Sequence, residues 1–230
     1  MRPLSSSTFR PSGLRSGDLF AASPGLEQEM DDATLLSLLM TRTMPERDIA
    51  QAAATLLAVF GTVAAVVAAD PHELARAATL DATTITDLKM LRRLSIRLAR
   101  SEACRRPVLS SWSALVAYVR SALAHEPREQ FRALYLDKKN ILLRDEFRAE
   151  GTVDHAPVYP REVDRRALEL SASALILVHN HPSGDPAPSR ADIEMTRRIV
   201  DAAGVFGLQV HDHLVIGRQG TASFKQLGLI

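Results

Sequence analysis

The sequence predicts a mixed α/β chain in which a small all-α bundle precedes a sheet flanked by helices. Three observations point there. From Asp31 to about Glu102, nearly every segment carries apolar residues at helical spacing. Phe131 to Leu136 and Ile141 to Arg144 alternate on either side of a turn-forming stretch, Asp137 to Asn140, which is the pattern of a hairpin. Beyond the hairpin, helical stretches alternate with a continuous apolar run at Ala174–Val178 and a final strand at Leu208–Ile216.

Taken in order, residues 1–30 are rich in Ser, Pro, Gly and Arg and read as a disordered segment without the apolar core of a signal peptide. Asp32 is placed to cap a first helix that buries Leu35, Leu36, Leu38 and Leu39. Ile49 to Ala69 holds 21 residues without a charge, long enough to span a bilayer. Alanine dominates it, however, and Gly61 interrupts it, so two short buried helices joined at Phe60-Gly61 are expected and no membrane span. Asp70-Pro71 opens another helix with proline in its first turn. Thr84 to Arg100 closes the bundle, with Leu88, Leu91, Leu94, Ile96 and Leu98 at helical spacing. Composition shifts at Arg106-Pro107, after which helices are expected at Trp112–Leu123, Arg161–Ser171 and Ser189–Ala203. The implied organisation is a lead-in at 1–30, a helical bundle at 31–105 and a second domain at 108–230.

Of the 230 residues, 46% are hydrophobic and 24% charged, and the formal net charge is +1. That balance belongs to an ordinary globular protein and gives no general affinity for nucleic acid. A local basic face on Arg92, Arg93, Arg97 and Arg100 is the exception to weigh, against the plain reading of a solvated helix face. The single cysteine, Cys104, excludes an internal disulfide and fits a reducing, cytoplasmic setting.

The chemistry concentrates in Val178 to Asp192. His179 and His181 lie two apart at the end of a buried strand, so both imidazoles face one side. A stiff loop, Pro182 to Pro188, follows. Ser189 is placed to cap the next helix, and Asp192 falls in its first turn, where a carboxylate is favoured. Two histidines and a carboxylate make a three-ligand set that leaves zinc an open position for water. The same set suits non-haem iron. A dinuclear pattern would need a metal ligand at position 183, which is serine. Asp185 is the alternative carboxylate, and satisfied strand-end histidines are the plain structural reading. His211 and His213 alternate on the last strand and are expected to face one side, as a second metal site or with His213 as an outer partner of the first. His155 and Tyr159 fall in a loop-like stretch from which they would reach substrate or serve structure.

The spacing of His179, His181, Ser189 and Asp192 matches the JAMM motif of the MPN-domain metalloproteases. The wider text, residues 179–204 with 151–163, 210–217 and the ending SFKQLGLI, resembles the RadC branch of bacterial JAMM proteins. The resemblance covers about 108–230. It implies an MPN fold, a curved, partly closed mixed sheet with flanking helices. It also implies a hydrolase with one Zn2+ per chain, held by His179, His181 and Asp192. In that mechanism a metal-bound water attacks a peptide or isopeptide carbonyl, a glutamate moves the proton, and Ser189 steadies the oxyanion. Glu129, one residue before the first strand, is the expected general base, and Glu146 its rival. The expected partner is a peptide or protein substrate. The RadC branch also implies DNA, through a helix-hairpin-helix module and a repair-associated accessory role, and an MPN fold used as a non-catalytic interaction module is a third possibility. The hairpin would fall at Ala78–Thr83, which has no glycine and places Asp81 where a phosphate would approach, weakening the DNA reading.

Overall fold

The computed structural model describes residues 30–150 and 158–230, which fall into two compact units. The first comprises the described residues up to Val66 together with Asp70–Leu88. Its helices are α1 (Asp32–Met40), α2 (Glu46–Phe60), α3 (Val63–Ala68) as far as Val66, α4 (Pro71–Ala78) and the beginning of α5 (Ala82–Cys104). The uncharged stretch does break as its composition suggests: α2 stops at Phe60, and Gly61 takes φ 87°, a conformation that costs glycine least. No helix among the described residues is long and apolar enough to cross a membrane. Capping differs by one residue at α1, where Asp31 accepts the Thr34 N–H and Asp32 is the first helical residue. α4 opens as expected, on Asp70 with Pro71 behind it and Glu73 completing a reciprocal capping box. Leu36, Met40, Leu56 and Leu74 are fully buried in this unit.

Between α4 and α5, Thr79 adopts the left-handed conformation at φ 49° and Asp81 accepts the Thr84 N–H at 2.7 Å. The start of α5 therefore already holds a carboxylate of its own chain where an incoming phosphate would need free N–H groups.

The second unit comprises 67–69 and Lys89–Ile230. Its sheet has the order β2-β1-β3-β4-β5 and is mixed and open, with β2 and β5 at its edges. β1 (Gln130–Leu136) pairs antiparallel with β2 (Leu142–Glu150) and with β3 (Ala174–Asn180). β3 pairs parallel with β4 (Gln209–Ile216), and β4 pairs antiparallel with the short β5 (Thr221–Ser223). The hairpin turn is tied by Asp137, whose carboxylate accepts N–H bonds from Lys139 and Ile141, and by Asn140 at φ 60°.

Strand alternation sorts the core into two faces. Leu134, Leu136, Ile176, Val178, Leu214 and Ile216 pack with Leu115, Tyr118 and Val119 of α6 (Trp112–Leu123). Phe131, Ala133, Tyr135, Leu175 and Leu177 pack with Val163 and Ala167 of α7 (Pro160–Glu169) and Ile199 and Ala203 of α8 (Arg190–Val205). By the same alternation, His179 faces the α8 side and Asn180 the α6 side.

One buried group is out of keeping with this packing. Asp164 of α7 is only 2% exposed, and neither carboxylate oxygen has a hydrogen-bond partner among the described residues. Burial pushes its carboxyl above the ordinary range. A raised folded-state pKa contributes stability below the ordinary carboxyl value, lost as pH rises through the raised one. Asp164→Val is therefore expected to raise unfolding stability at pH 7 by about 1–2 kcal/mol, with a smaller gain at pH 4, in chemical denaturation at both pH values. An equal gain at both would contradict the burial argument.

Candidate metal centre

β3 ends at Asn180, and the His181 N–H continues the line by donating to Ile216 O at 2.9 Å. The loop then turns away through Pro182 and Gly184, the latter at φ 98°. It rests on the turn after β4, where Gly217 comes so close that a Cβ there would sit 2.2 Å from Gly184 O. Arg218 donates to Ser183 O at 3.0 Å and braces the same loop. Ser189 then caps α8 in a reciprocal box: its Oγ accepts the Asp192 N–H at 3.1 Å, and the Asp192 carboxylate accepts the Ser189 N–H at 2.7 Å. The capping box holds Asp192 in one orientation over the end of β3.

That orientation brings the expected residues together. His179 Nε2 lies 3.4 Å from Asp192 Oδ1, His181 Nε2 lies 3.4 Å from Asp192 Oδ2, and the two Nε2 atoms are 3.0 Å apart. One donor atom from each residue lies within 4.8 Å of the other two. A tetrahedral ion with ligands at about 2.0–2.1 Å spaces them about 3.3 Å apart, so the group has the dimensions to hold a metal ion. His179 and Asp192 are buried, and His181 is half-buried.

The other ring nitrogens assign the tautomers. His181 Nδ1 lies 2.9 Å from the backbone oxygen of Asp185, which can only accept, so Nδ1 carries a proton and Nε2 is the ring nitrogen turned to Asp192. For His179 the assignment runs through a relay. The Thr196 hydroxyl donates to Asp192 O at 2.6 Å and lies 2.6 Å from His213 Nδ1, which must therefore donate to it. Burial holds His213 well below the ordinary histidine range, so it is neutral and its Nε2 is bare. That nitrogen lies 2.8 Å from His179 Nδ1 and accepts its hydrogen bond, leaving His179 Nε2 as the ring nitrogen turned to Asp192. Phe224 stacks on the His213 ring at 4.6 Å, and Phe131 meets it edge-on at 5.6 Å.

Two ring nitrogens, one from each histidine, thus face a carboxylate. For Asp192, burial pushes the carboxyl up, but hydrogen bonds with His179 and His181 outweigh burial and hold it well below the ordinary range. The hydrogen bond with Asp192 raises His181, burial opposes this, and the charge of Glu129 adds to the rise. The site attracts positive charge.

A family model described as a RadC-like JAB domain matches residues 109–229. The chain belongs to the RadC-like JAB family. Two relatives agree in both length and identity. A UPF0758 protein of Rhodobacter capsulatus is 53% identical over 206 residues, covering 90% of this chain and 96% of the relative. Another UPF0758 protein, from Ruegeria pomeroyi, is 50% identical over 201 residues, covering 87% and 90%.

Within this RadC-like JAB domain, the remaining sequence candidates are placed as follows. Glu129 is half-buried one residue before β1, close enough for its charge to act on His181. Glu146 stands on β2 in a two-pronged ion pair with Arg166 of α7, Nε at 3.0 Å from each oxygen. Asp185 offers His181 its backbone oxygen, while its carboxylate accepts the Ala187 N–H. His211 and His213 do not share a face. The β3–β4 register skips His211, a bulge that reverses the alternation, and His211 lies instead 2.6 Å from Asn140 Oδ1. Tyr159 is exposed under Arg161, and His155 lies outside the described residues. Two groups escaped the sequence reading: Thr196, one helical turn after Asp192, and Asn180. The helical spacing of Asp192 and Thr196 was the available signal for the first.

Thr196→Val leaves His213 without its acceptor and frees the His179 tautomer. Zinc affinity in chelator competition is expected to fall roughly 10–100-fold, with the stoichiometry unchanged. Unchanged affinity would show that the relay does not orient His179.

Proposed function

We propose that this chain is a zinc-dependent hydrolase of the JAMM type that cleaves amide bonds in peptide or protein substrates. The observation that carries the reading is the pair of Nε2 atoms, 3.0 Å apart, each 3.4 Å from an oxygen of the Asp192 carboxylate. Two imidazole nitrogens and a carboxylate converging on one point offer three ligand atoms to a single cation. His179, His181 and Asp192 would hold zinc, leaving a fourth position open to a water whose pKa the ion lowers to about 7.

The chain's own groups supply the rest. Glu129 is the general base: its carboxylate accepts a proton from the attacking water and returns one to the leaving amine. Ser189 Oγ already accepts from the Asp192 N–H, so its hydroxyl proton is free to donate to the carbonyl oxygen as that oxygen gains charge. Asp192 is fixed by the Ser189 N–H, so the carboxylate does not have to reorganise. Glu146, held by Arg166, serves the contact between β2 and α7 instead.

Metal analysis of the purified chain after zinc loading is expected to find about one zinc per chain, with His179→Ala and Asp192→Ala losing it. Glu129→Gln should retain the metal and lose peptide hydrolysis by about 100-fold or more. A wild-type chain that takes up no zinc sinks the metal reading, and hydrolysis unchanged in Glu129→Gln removes Glu129 as the base.

A further inference from the structure

The ladder between β1 and β3 ends at the pair Phe131 and His179. Beyond it, backbone pairing is replaced by one side chain. Asn180, 1% exposed, accepts the Gln130 N–H on its Oδ1 at 2.8 Å. Its Nδ2 donates to Arg128 O at 3.1 Å and to Glu126 O at 3.3 Å. Three of the four hydrogen bonds open to an asparagine amide are thereby spent on the backbone of three residues within the 126–130 segment. The segment is tied again by the Glu126 carboxylate, which pairs with Arg92 and accepts from the Gln130 side chain at 3.0 Å. Nothing in this arrangement touches Glu129 directly. Continuing the antiparallel register two residues outward places Glu129 opposite His181.

We infer that Asn180 is a positioning residue that holds the 126–130 segment so that the Glu129 carboxylate stands over the His179–His181–Asp192 group. The inference rests on the reading of that group as a metal centre with Glu129 as base. Its physical basis is the alternation of the strand. His179 and His181 face α8, and the residue between them faces the opposite side, where the chain leaving α6 arrives. An amide at that position offers an acceptor and two donors together, whereas a hydroxyl has a single donor and a carboxylate or aliphatic side chain none. A single strand end then carries both histidines and the tie that places the base.

The test needs no substrate. Cobalt(II) is loaded into the wild-type chain, Asn180→Ala, Glu129→Gln and the double variant, and the visible spectrum is followed against pH. Removing the Glu129 charge is expected to lower the spectral midpoint by about one pH unit, since a nearby anion disfavours loss of a proton. Asn180→Ala should bind cobalt with the wild-type stoichiometry, shift the midpoint in the same direction by at least half as much, and add nothing in the double variant. Amide hydrogen exchange at Gln130 should speed up at least tenfold in Asn180→Ala while Leu134 stays protected. A wild-type midpoint and unchanged exchange at Gln130 in a cobalt-bound Asn180→Ala would overturn the inference alone, as would shifts that add in the double variant. A wild-type chain that binds neither cobalt nor zinc would overturn the metal reading and the inference with it. Should Asn180→Ala not fold, Asn180→Ser, too short to reach both carbonyls, serves the same comparisons.

Discussion

The centre depends on two imidazole nitrogens, Nε2 of His179 and of His181, that meet only each other and one carboxylate. Each is turned there because the opposite nitrogen of its ring is committed, in His181 to Asp185 O and in His179 to His213. These commitments reach far into the fold. Asp185 is held by the loop that rests on Gly217, and His213 is held between Phe224 and Phe131 with its second nitrogen on Thr196. The core on the α8 side of the sheet therefore does two things. It buries the apolar faces of β1 and β3, and it fixes the direction of the lone pairs.

α8 contributes at three successive levels. Ser189 ends the loop and starts the helix, Asp192 faces the histidines from its first turn, and Thr196, one turn later, returns a hydroxyl to the Asp192 carbonyl and to His213. The carboxylate sits in the part of a helix where negative charge is stabilised, which lessens the penalty of burying it. The buried polar groups here form one closed network, and such networks are rigid when every member is satisfied. Asp212 adds the neighbouring strand. Its carboxylate accepts from the His213 and Lys225 N–H groups and the Ser223 hydroxyl, tying β4 to β5 behind the histidine.

Much of this was legible in the sequence. The two-residue spacing of the histidines, the stiff loop and the capped aspartate each follow a local rule, and local rules survive folding. So did the break at Gly61, the Asp70-Pro71 helix start and the hairpin at Asp137–Asn140. Features that depend on pairing between distant segments were not legible. The bulge at His211 is a property of the β3–β4 register, and it separates two histidines that strict alternation would have put on one face. The tie from Asn180 to 126–130 spans about fifty residues and carries no local signature. The carboxylate of Asp81 is a partial case: the missing glycine was visible, but not that Asp81 would cap α5 itself.

If the lone pairs are directed as described, a metal ion has one place to sit. Anomalous diffraction at the zinc edge from crystals of the zinc-loaded chain tests this most directly. The account predicts a single strong peak at about 2.0–2.1 Å from Nε2 of His179, Nε2 of His181 and a carboxylate oxygen of Asp192. A peak bound through Nδ1 of either histidine, or zinc located at other side chains with these three left without it, would contradict the account.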